Sequence, residues 1–210
     1  MILSVSGFIG SGKDTIADYL CAHHGFKRLS FAASVKDAIA IIFGWDRSLL
    51  EGDTKSSREW RETVDSWWSA RLNIPDLTPR YVLQIWGTDV CRNHFHDEIW
   101  IASLENKLRS LSDNIVITDC RFLNEMTAIK KAKGVTIRVT RGPNPIWYND
   151  ALIVNQGSAH PDYHSSKLIL SNYGIHSSEY SSVGLPYDYV IDNNGTLSVL
   201  HSKIRSVINL

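Results

Sequence analysis

Cysteine is scarce: three residues in 210, Cys21, Cys91 and Cys120, odd in number, far apart and in no Cys-x-x-Cys pair. That excludes a disulfide framework and a zinc ribbon, and predicts reduced thiols. No apolar run approaches the roughly 18 residues of a membrane span, and the opening run from Met1 to Val5 is shorter than the core of a signal peptide. Excess charge is missing too. Lys plus Arg and Asp plus Glu are both 22, so the formal net charge is zero. Direct nucleic-acid binding is not expected, because a basic excess supplies most of the affinity for a phosphate backbone. Repeats and low-complexity tracts are also absent. These absences predict a soluble, cytoplasmic protein with no membrane partner.

What is present is ordinary globular composition, 43% hydrophobic and 21% charged. A chain of this length makes one large domain or two small ones and buries roughly 70% of its unfolded surface. Met1–Ser6 reads as a buried strand ended by glycines, followed by a helix from Thr15 to His24 and a strand over Lys27–Phe31. Ala33 to Phe43 has helical spacing and ends at Gly44. Ser56 with Glu59 fits a capping box, which predicts one helix carrying Trp60, Val64, Trp67, Trp68 and Arg71 on one face. Thr78-Pro79 opens another with Leu83, Trp86 and Val90 inward, and Asp97-Glu98 a third. Asn114–Thr118 is a strong strand ended by Asp119. Met126 to Lys133 is helical, with Gly134 as its C′ glycine, and Val135–Thr140 is the next strand. Residues 141–187 hold four of the six prolines and little periodicity, so they read as a long loop. A short strand, Tyr189–Ile191, and a helix over Thr196–Ile208 with Leu197, Leu200, Ile204 and Val207 inward close the chain. Strand and helix alternate throughout, which predicts an α/β fold with a mostly parallel sheet flanked by helices.

The most informative residues are Gly7-Phe8-Ile9-Gly10-Ser11-Gly12-Lys13-Asp14-Thr15. The spacing Gly7-x4-Gly12-Lys13 is that of a P-loop, which winds backbone N–H groups around phosphate oxygens while its lysine reaches the β- and γ-phosphates. Two glycines and a lysine at those offsets recur by chance in roughly 6% of chains this long. The extra Gly10, the strand before and the helix behind make the match specific to nucleotide binding. Gly10, Ser11, Gly12, Lys13, Asp14 and Thr15 are therefore candidate ATP-phosphate residues. Asp14 stands where the common pattern has Ser or Thr on Mg²⁺. Thr15, one position on, supplies the hydroxyl, as in the Gly-Lys-Gly-Thr loops of nucleoside monophosphate kinases, and takes the Mg²⁺-side role. Asp14 either reaches the metal through water or favours the helix N-terminus.

Asp119 ends a hydrophobic strand, where P-loop enzymes carry a second orienting carboxylate, and Arg121 follows it by two. Arg58, Arg61, Arg71, Arg80 and Lys36 offer forks and charge for an acceptor phosphate, although any one arginine taken singly is better read as solvated surface. Arg141 is a candidate lid arginine. Trp67 and Trp68 read as core. Trp100 either stacks on a base or packs in the core. His94-x-His96 lacks a third metal ligand at sensible spacing and reads as an ordinary helix-end pair.

Together these pieces resemble the phage-type deoxynucleoside monophosphate kinases across nearly the whole chain. The resemblance rests on Ser6-Gly7 through Gly12-Lys13-Asp14-Thr15, Lys36-Asp37-Ala38, Glu51-Gly52, Arg58-Glu59 and Arg80 with Gln84. It continues through Gly87-Thr88-Asp89, Trp100, Asp119-Cys120-Arg121-Phe122 with Asn124-Glu125, His176-Ser177-Ser178-Glu179 and Asp188…Ile191-Asp192-Asn193-Asn194-Gly195. It implies a P-loop NTPase fold in one kinase domain: a core of 1–44, 112–140 and 188–210, a helical substrate-binding insertion at 45–111 and a lid-like segment at 141–187. It also implies transfer of the γ-phosphoryl of ATP, with Mg²⁺, to a deoxynucleoside 5′-monophosphate. Lys13, Arg58, Arg80, Arg121 and Asp119 would be catalytic. Lys36, Arg58 and Arg80 would hold the acceptor phosphate, Gly87, Thr88 and Trp100 the nucleoside, and Asp119, Arg121 and Glu125 would complete the acceptor side. Asn194 and Gly195 would lie near adenine. Leu123 stands where many relatives have proline. A homodimer is an open expectation, since the Trp-rich helix near 60–72 faces either a partner or its own core, and a phage-encoded chain would work in the host cytoplasm. Two rivals remain: a P-loop kinase for dephospho-coenzyme A, phosphomevalonate or a modified pyrimidine nucleotide, and a non-catalytic nucleotide-binding module.

Overall fold

A computed structural model of the protein describes residues 1–209; Leu210, the last residue of the core segment expected over 188–210, lies outside them. The strands β1 (Ile2–Ser6), β2 (Phe26–Leu29), β3 (Asn114–Ile117), β4 (Val135–Thr140) and β5 (Tyr189–Asp192) form one sheet in the order β2-β3-β1-β4-β5. All four pairings are parallel, Leu3 lying beside both Val116 and Val135. Parallel strands need crossovers, and helices supply them, so central strands are buried on both faces. Leu3 and Val5 are fully buried, and so are Ser4 and Ser6 on the opposite face of β1. This is the parallel α/β architecture that the alternation of strands and helices predicts.

The chain divides into two compact units, Met1–Ser30 with Leu108–Leu210, and Phe31–Lys107. The first contains the whole sheet with helices α1 (Lys13–His24), α7 (Leu123–Lys131), α8 (Tyr148–Asn155), α9 (Tyr163–Asn172), α10 (Ser177–Tyr180) and α11 (Leu197–Ile208). The second contains α2 (Ala33–Phe43), α3 (Lys55–Arg61), α4 (Ser66–Leu72), α5 (Pro79–Gln84), a π-helical stretch over Ile85–Phe95, and most of α6 (Ile99–Leu108). No helix among the described residues is long and apolar enough to cross a membrane.

In the first unit Ile16, Ala17 and Leu20 of α1 meet Leu200, Ile204 and Val207 of α11 over Leu3, Val5, Ile137 and Val139. That packing sets the start of α1 against the end of β1. Leu20 is fully buried, and Leu20→Ala should cost about 3–5 kcal/mol, because the close-packed surroundings cannot collapse into the space. Urea unfolding checks this; a loss under about 1 kcal/mol would mean that the helix is not seated as described.

Several expectations are corrected. Residues 141–187 are not a loop: they contain α8, α9 and α10, with α8 packed on α9. Their inward residues are few, Ala151 and Leu170 with Tyr180 and Val183, so no apolar stripe advertises them. The single helix expected from Ser56 to Arg71 is two. Thr54, not Ser56, caps α3 in a capping box with Ser57, and Asp65 caps α4 by accepting from Trp68 N at 3.1 Å. The break turns Trp67 outward, 61% exposed, while Trp68 packs inward and donates Nε1 to the Phe43 carbonyl at 3.0 Å. Val90 is exposed, because the π-helical stretch takes in more residues per turn than the α-helical spacing assumes. Leu197, expected inward, is exposed in the first turn of α11. At the end of α7 the left-handed C′ position belongs to Lys133, at φ 56°, with Gly134 following it. Gly134 N donates to Ile129 O and Lys133 N to Lys130 O, the Schellman pattern. Glycine is needed at 134 because a Cβ would lie 3.1 Å from the Ile2 carbonyl and 2.7 Å from Ile129 Cγ2.

Candidate active site: the phosphate loop and the tip of β3

The glycine loop runs from β1 into α1. A Cβ on Gly7 would lie 2.5 Å from the Val139 carbonyl, so only glycine lets the chain leave β1 this close to β4. Gly12 is the N-cap of α1 at φ 100°, with no side chain capping the helix. The first amides of α1 therefore remain available, which is the geometry of an anion site. Ser11 is buried and its hydroxyl is unsatisfied. An orphaned buried donor is costly unless a ligand takes it, so the loop fits a phosphate. Gly10, at φ 79°, lies open with nothing near its missing Cβ.

Sequence reading missed the residue that braces this loop. Asn193, buried just past β5, donates Nδ2 to the Ser11 carbonyl at 2.8 Å. The expected pair follows it directly. Asn194 Oδ1 accepts from Gly142 N at 2.8 Å, pinning the chain as it leaves β4, and Gly195 packs against Val199. Nothing in the run Asp192–Gly195 distinguishes Asn193; only the neighbourhood of β5 and the loop does.

The Lys13 side chain is 20% exposed, with Nζ 3.4 Å from Asp14 Oδ2. Asp14 also pairs with Arg28 of β2. Burial alone would raise the Asp14 carboxyl, but the charges of Lys13 and Arg28 outweigh it and hold the group below its ordinary value. Asp119 at the end of β3 accepts from Ser30 Oγ at 2.6 Å. For Mg²⁺, which takes oxygen ligands and keeps part of its shell on substrate phosphates, the Thr15 hydroxyl and the Asp119 carboxylate are suitable donors. Asp14, already shared by two cations, suits it less.

One cleft in the first unit is lined by the loop residues Gly7, Phe8, Ile9 and Lys13, by Thr118, Cys120 and Arg121 of the β3 tip, and by Ser178, Glu179 and Ser182. Arg121 Nη1 donates to the Ser178 carbonyl and to Glu179 Oε1, both at 3.1 Å. Glu125, 3% exposed, accepts from the backbone N–H of Arg121 at 2.7 Å and of Phe122 at 3.1 Å, so its carboxylate shapes the turn that presents Arg121. Burial pushes the Cys120 thiol up, reinforced by the charge of Glu125, and makes it a poor nucleophile. Phe8 anchors the loop edge-on to Trp147 and Tyr148, with the Arg138 guanidinium 5.6 Å from its ring.

In the second unit Lys36 donates to Glu51 at 2.6 Å, and Glu51 also pairs with Arg47. Burial opposes ionisation of Glu51, but the two cations prevail and lower its pKa. Arg58 donates to the Asp53 carbonyl at 2.8 Å and Arg80 pairs with Glu62. The Arg61 guanidinium lies over Gly52, where a Cβ would overlap it. Arg71 and Arg141 are exposed. Gly87 and Thr88 are buried in the π-helical stretch. Trp100, left open between base and core, packs with the second unit's cluster and donates Nε1 to the Gly87 carbonyl at 2.7 Å. His94 Nδ1 lies 2.6 Å from the Asp89 carbonyl and His96 Nδ1 accepts from Glu98 N. Among the described residues no three His, Cys, Asp or Glu side chains gather as a metal site.

A protein of Acanthamoeba polyphaga mimivirus is 29% identical, the alignment covering 100% of this chain and 96% of that protein. The deoxynucleotide monophosphate kinase of Enterobacteria phage T4 is 22% identical over 100% of this chain and 99% of its own. Among solved structures, a shikimate kinase from Aquifex aeolicus is similar with a TM-score of 0.44 and 12% identity, covering 100% of this chain and 97% of that one. The family model described as deoxynucleotide monophosphate kinase matches residues 53–183. The match spans more than half of the sequence, from α3 through α10, and includes the Asp119-x-Arg121 tip: the chain belongs to the deoxynucleotide monophosphate kinase family.

Proposed function

We propose that this kinase takes the γ-phosphoryl group of ATP, with Mg²⁺, and transfers it to the 5′-phosphate of a deoxynucleoside monophosphate, releasing ADP and the diphosphate. Within the family's phosphotransferase activity, what carries the finer reading is the cleft that Lys13 and Arg121 line together. Gly10, Ser11, Gly12, Lys13 and Thr15 would bind the ATP phosphates, with Asn194 and Gly195 toward the adenine. Lys36, Arg58 and Arg80 would hold the acceptor phosphate and Gly87, Thr88 and Trp100 the nucleoside, Trp100 through its hold on Gly87. Asp119 would orient, and Arg121 would neutralise charge on the moving group. Glu125 would act by shaping the β3 tip.

Thr15, with Asp119 near, would hold Mg²⁺ together with the phosphates, and the ion would supply charge neutralisation on the transferring group. Phosphoryl transfer otherwise asks the protein to align two anions and stabilise the charge between them. The acceptor is already an ionised phosphate, so no side chain need act as general base. Lys13 and the arginines do the neutralising, and α8–α10 are suited to exclude water.

The test is a coupled ADP-release assay with ATP and Mg²⁺ over dTMP, dGMP, dCMP, dAMP, their 5-hydroxymethyl pyrimidine analogues, the ribonucleotides and dephospho-coenzyme A. Turnover on deoxynucleotides with little on ribonucleotides is expected. Silence across the panel with ATP binding intact would return the chain to the binding-module reading. Arg58→Ala and Arg80→Ala should each raise the monophosphate KM about 10–100-fold, the loss of one charge-assisted hydrogen-bond pair. The KM for ATP should stay within about twofold; equal losses on both substrates would remove these arginines from the acceptor site.

A further inference from the structure

Arg28 belongs to no motif, yet it stands where the phosphate loop has its one chemical anomaly. The loop carries a carboxylate, Asp14, directly after its lysine, and Asp18 follows one helical turn on. Both are acidic groups on the opening turns of a helix whose first amides lie open for anions. Asp14 already pairs with Lys13, Nζ lying 3.4 Å away, and without a second cation it would hold that lysine more firmly and repel a triphosphate. Arg28 meets it from β2. Nη2 pairs with Asp14 and donates to Thr118 Oγ1 at 2.9 Å, while Nη1 reaches Asp18 at 3.3 Å. A lysine cannot make these three contacts at once, since it offers a point charge where the guanidinium offers a fork. Thr118 is the residue before Asp119, so the same fork ties the first turn of α1 to the tip of β3.

We propose that Arg28 is a positioning residue for the donor nucleotide: it shares the charge of Asp14 with Lys13, which loosens the Asp14–Lys13 pair so that the ATP phosphates can take Lys13, and it braces the α1 start against the β3 tip. The proposal rests on the reading of residues 7–15 as the donor-phosphate site. It explains why an aspartate is tolerated in this loop at all.

The experiment measures Mg·ATP affinity by titration calorimetry, without acceptor, for the wild type, Arg28→Ala, Asp14→Asn, the double variant and Lys13→Ala. Arg28→Ala should weaken ATP about tenfold, and the loss should shrink as salt is raised, because Asp14 is half-exposed and such charges are screened within about 10 Å at about 0.1 M. In steady state the monophosphate KM of Arg28→Ala should move less than about twofold. Adding Asp14→Asn to Arg28→Ala should recover most of the lost affinity, which a purely structural defect would not allow. Asp14→Asn alone, with Arg28 kept, should bind ATP as well as or more tightly than the wild type; this arm stands even where Arg28→Ala fails to fold. Wild-type affinity in Arg28→Ala, no recovery in the double variant, or weakened ATP in Asp14→Asn would each overturn the proposal. Lys13→Ala separates the two failures. If it binds ATP normally, the donor-site reading is wrong; if it alone loses ATP, only the role of Arg28 is.

Discussion

Lys13→Ala is expected to lower kcat about 10²–10³-fold, with the monophosphate KM little changed. The side chain leaves the loop at the first residue of α1 and lines the cleft beside Arg121. It is mostly buried, so its charge acts through protein and structured loop more than through water, and removing a preorganised charge of this kind costs about 3–4 kcal/mol in the transition state. Ground-state binding of the monophosphate is proposed to rest on Lys36, Arg58 and Arg80 instead. The substitution leaves no hole in the hydrophobic cluster, which contains neither Lys13 nor a partner of it, so melting should stay within a few degrees of the wild type. Steady-state kinetics on both substrates, with thermal melting alongside, decide the matter. Turnover within about threefold of the wild type would sink the assignment of Lys13 to the moving phosphoryl group.

Gly12→Ala should damage both fold and function. Its φ of 100° is unfavourable for any residue with a Cβ, by roughly 1–2 kcal/mol. The new methyl would also lie 2.2 Å from Asn193 Nδ2 and push that amide off the Ser11 carbonyl. A buried amide and a carbonyl left unpaired add about 1–3 kcal/mol. The sum, about 3 kcal/mol, corresponds to a fall of about 6–12 °C in Tm for a chain of this size, together with a marked rise in the KM for ATP. Gly10→Ala is the control: it also has positive φ, at 79°, but nothing stands near its Cβ, so it should lose only the conformational part. Equal losses in the two variants would mean that the Asn193 brace contributes nothing.

The legible features are local in the chain. The loop from Gly7 to Thr15 is nine consecutive residues, and the β3 tip is a hydrophobic run that stops at a charge. The central strands were plain because a strand buried on both faces is largely apolar along its length, as β1 and β3 are. Periodicity failed where the stripe was thin, in α8 and α9, and where the helix widened, so that Val90 turned outward. It failed again between α3 and α4, where Asp65 could cap a new helix as readily as Ser56 could begin an old one.

The braces of the site were not legible at all. Asn193 reaches Ser11 across 182 residues, Arg28 reaches Thr118 across 90 and Arg121 reaches Glu179 across 58. No pattern along a chain marks such pairs, because hydrogen bonds and charges act over a few ångströms in space whatever the separation in sequence. Beyond the kinase chemistry that its resemblance implied, the sequence taken alone determined that strands and helices alternate and that a glycine loop of P-loop spacing follows the first strand. These depend on side-chain spacing and glycine geometry within a few residues. Tertiary structure alone decided which side chain steadies the loop, which cation answers the aspartate inside it and what holds the arginine at the tip of β3. Each of those is a distance between elements, and only packing sets it.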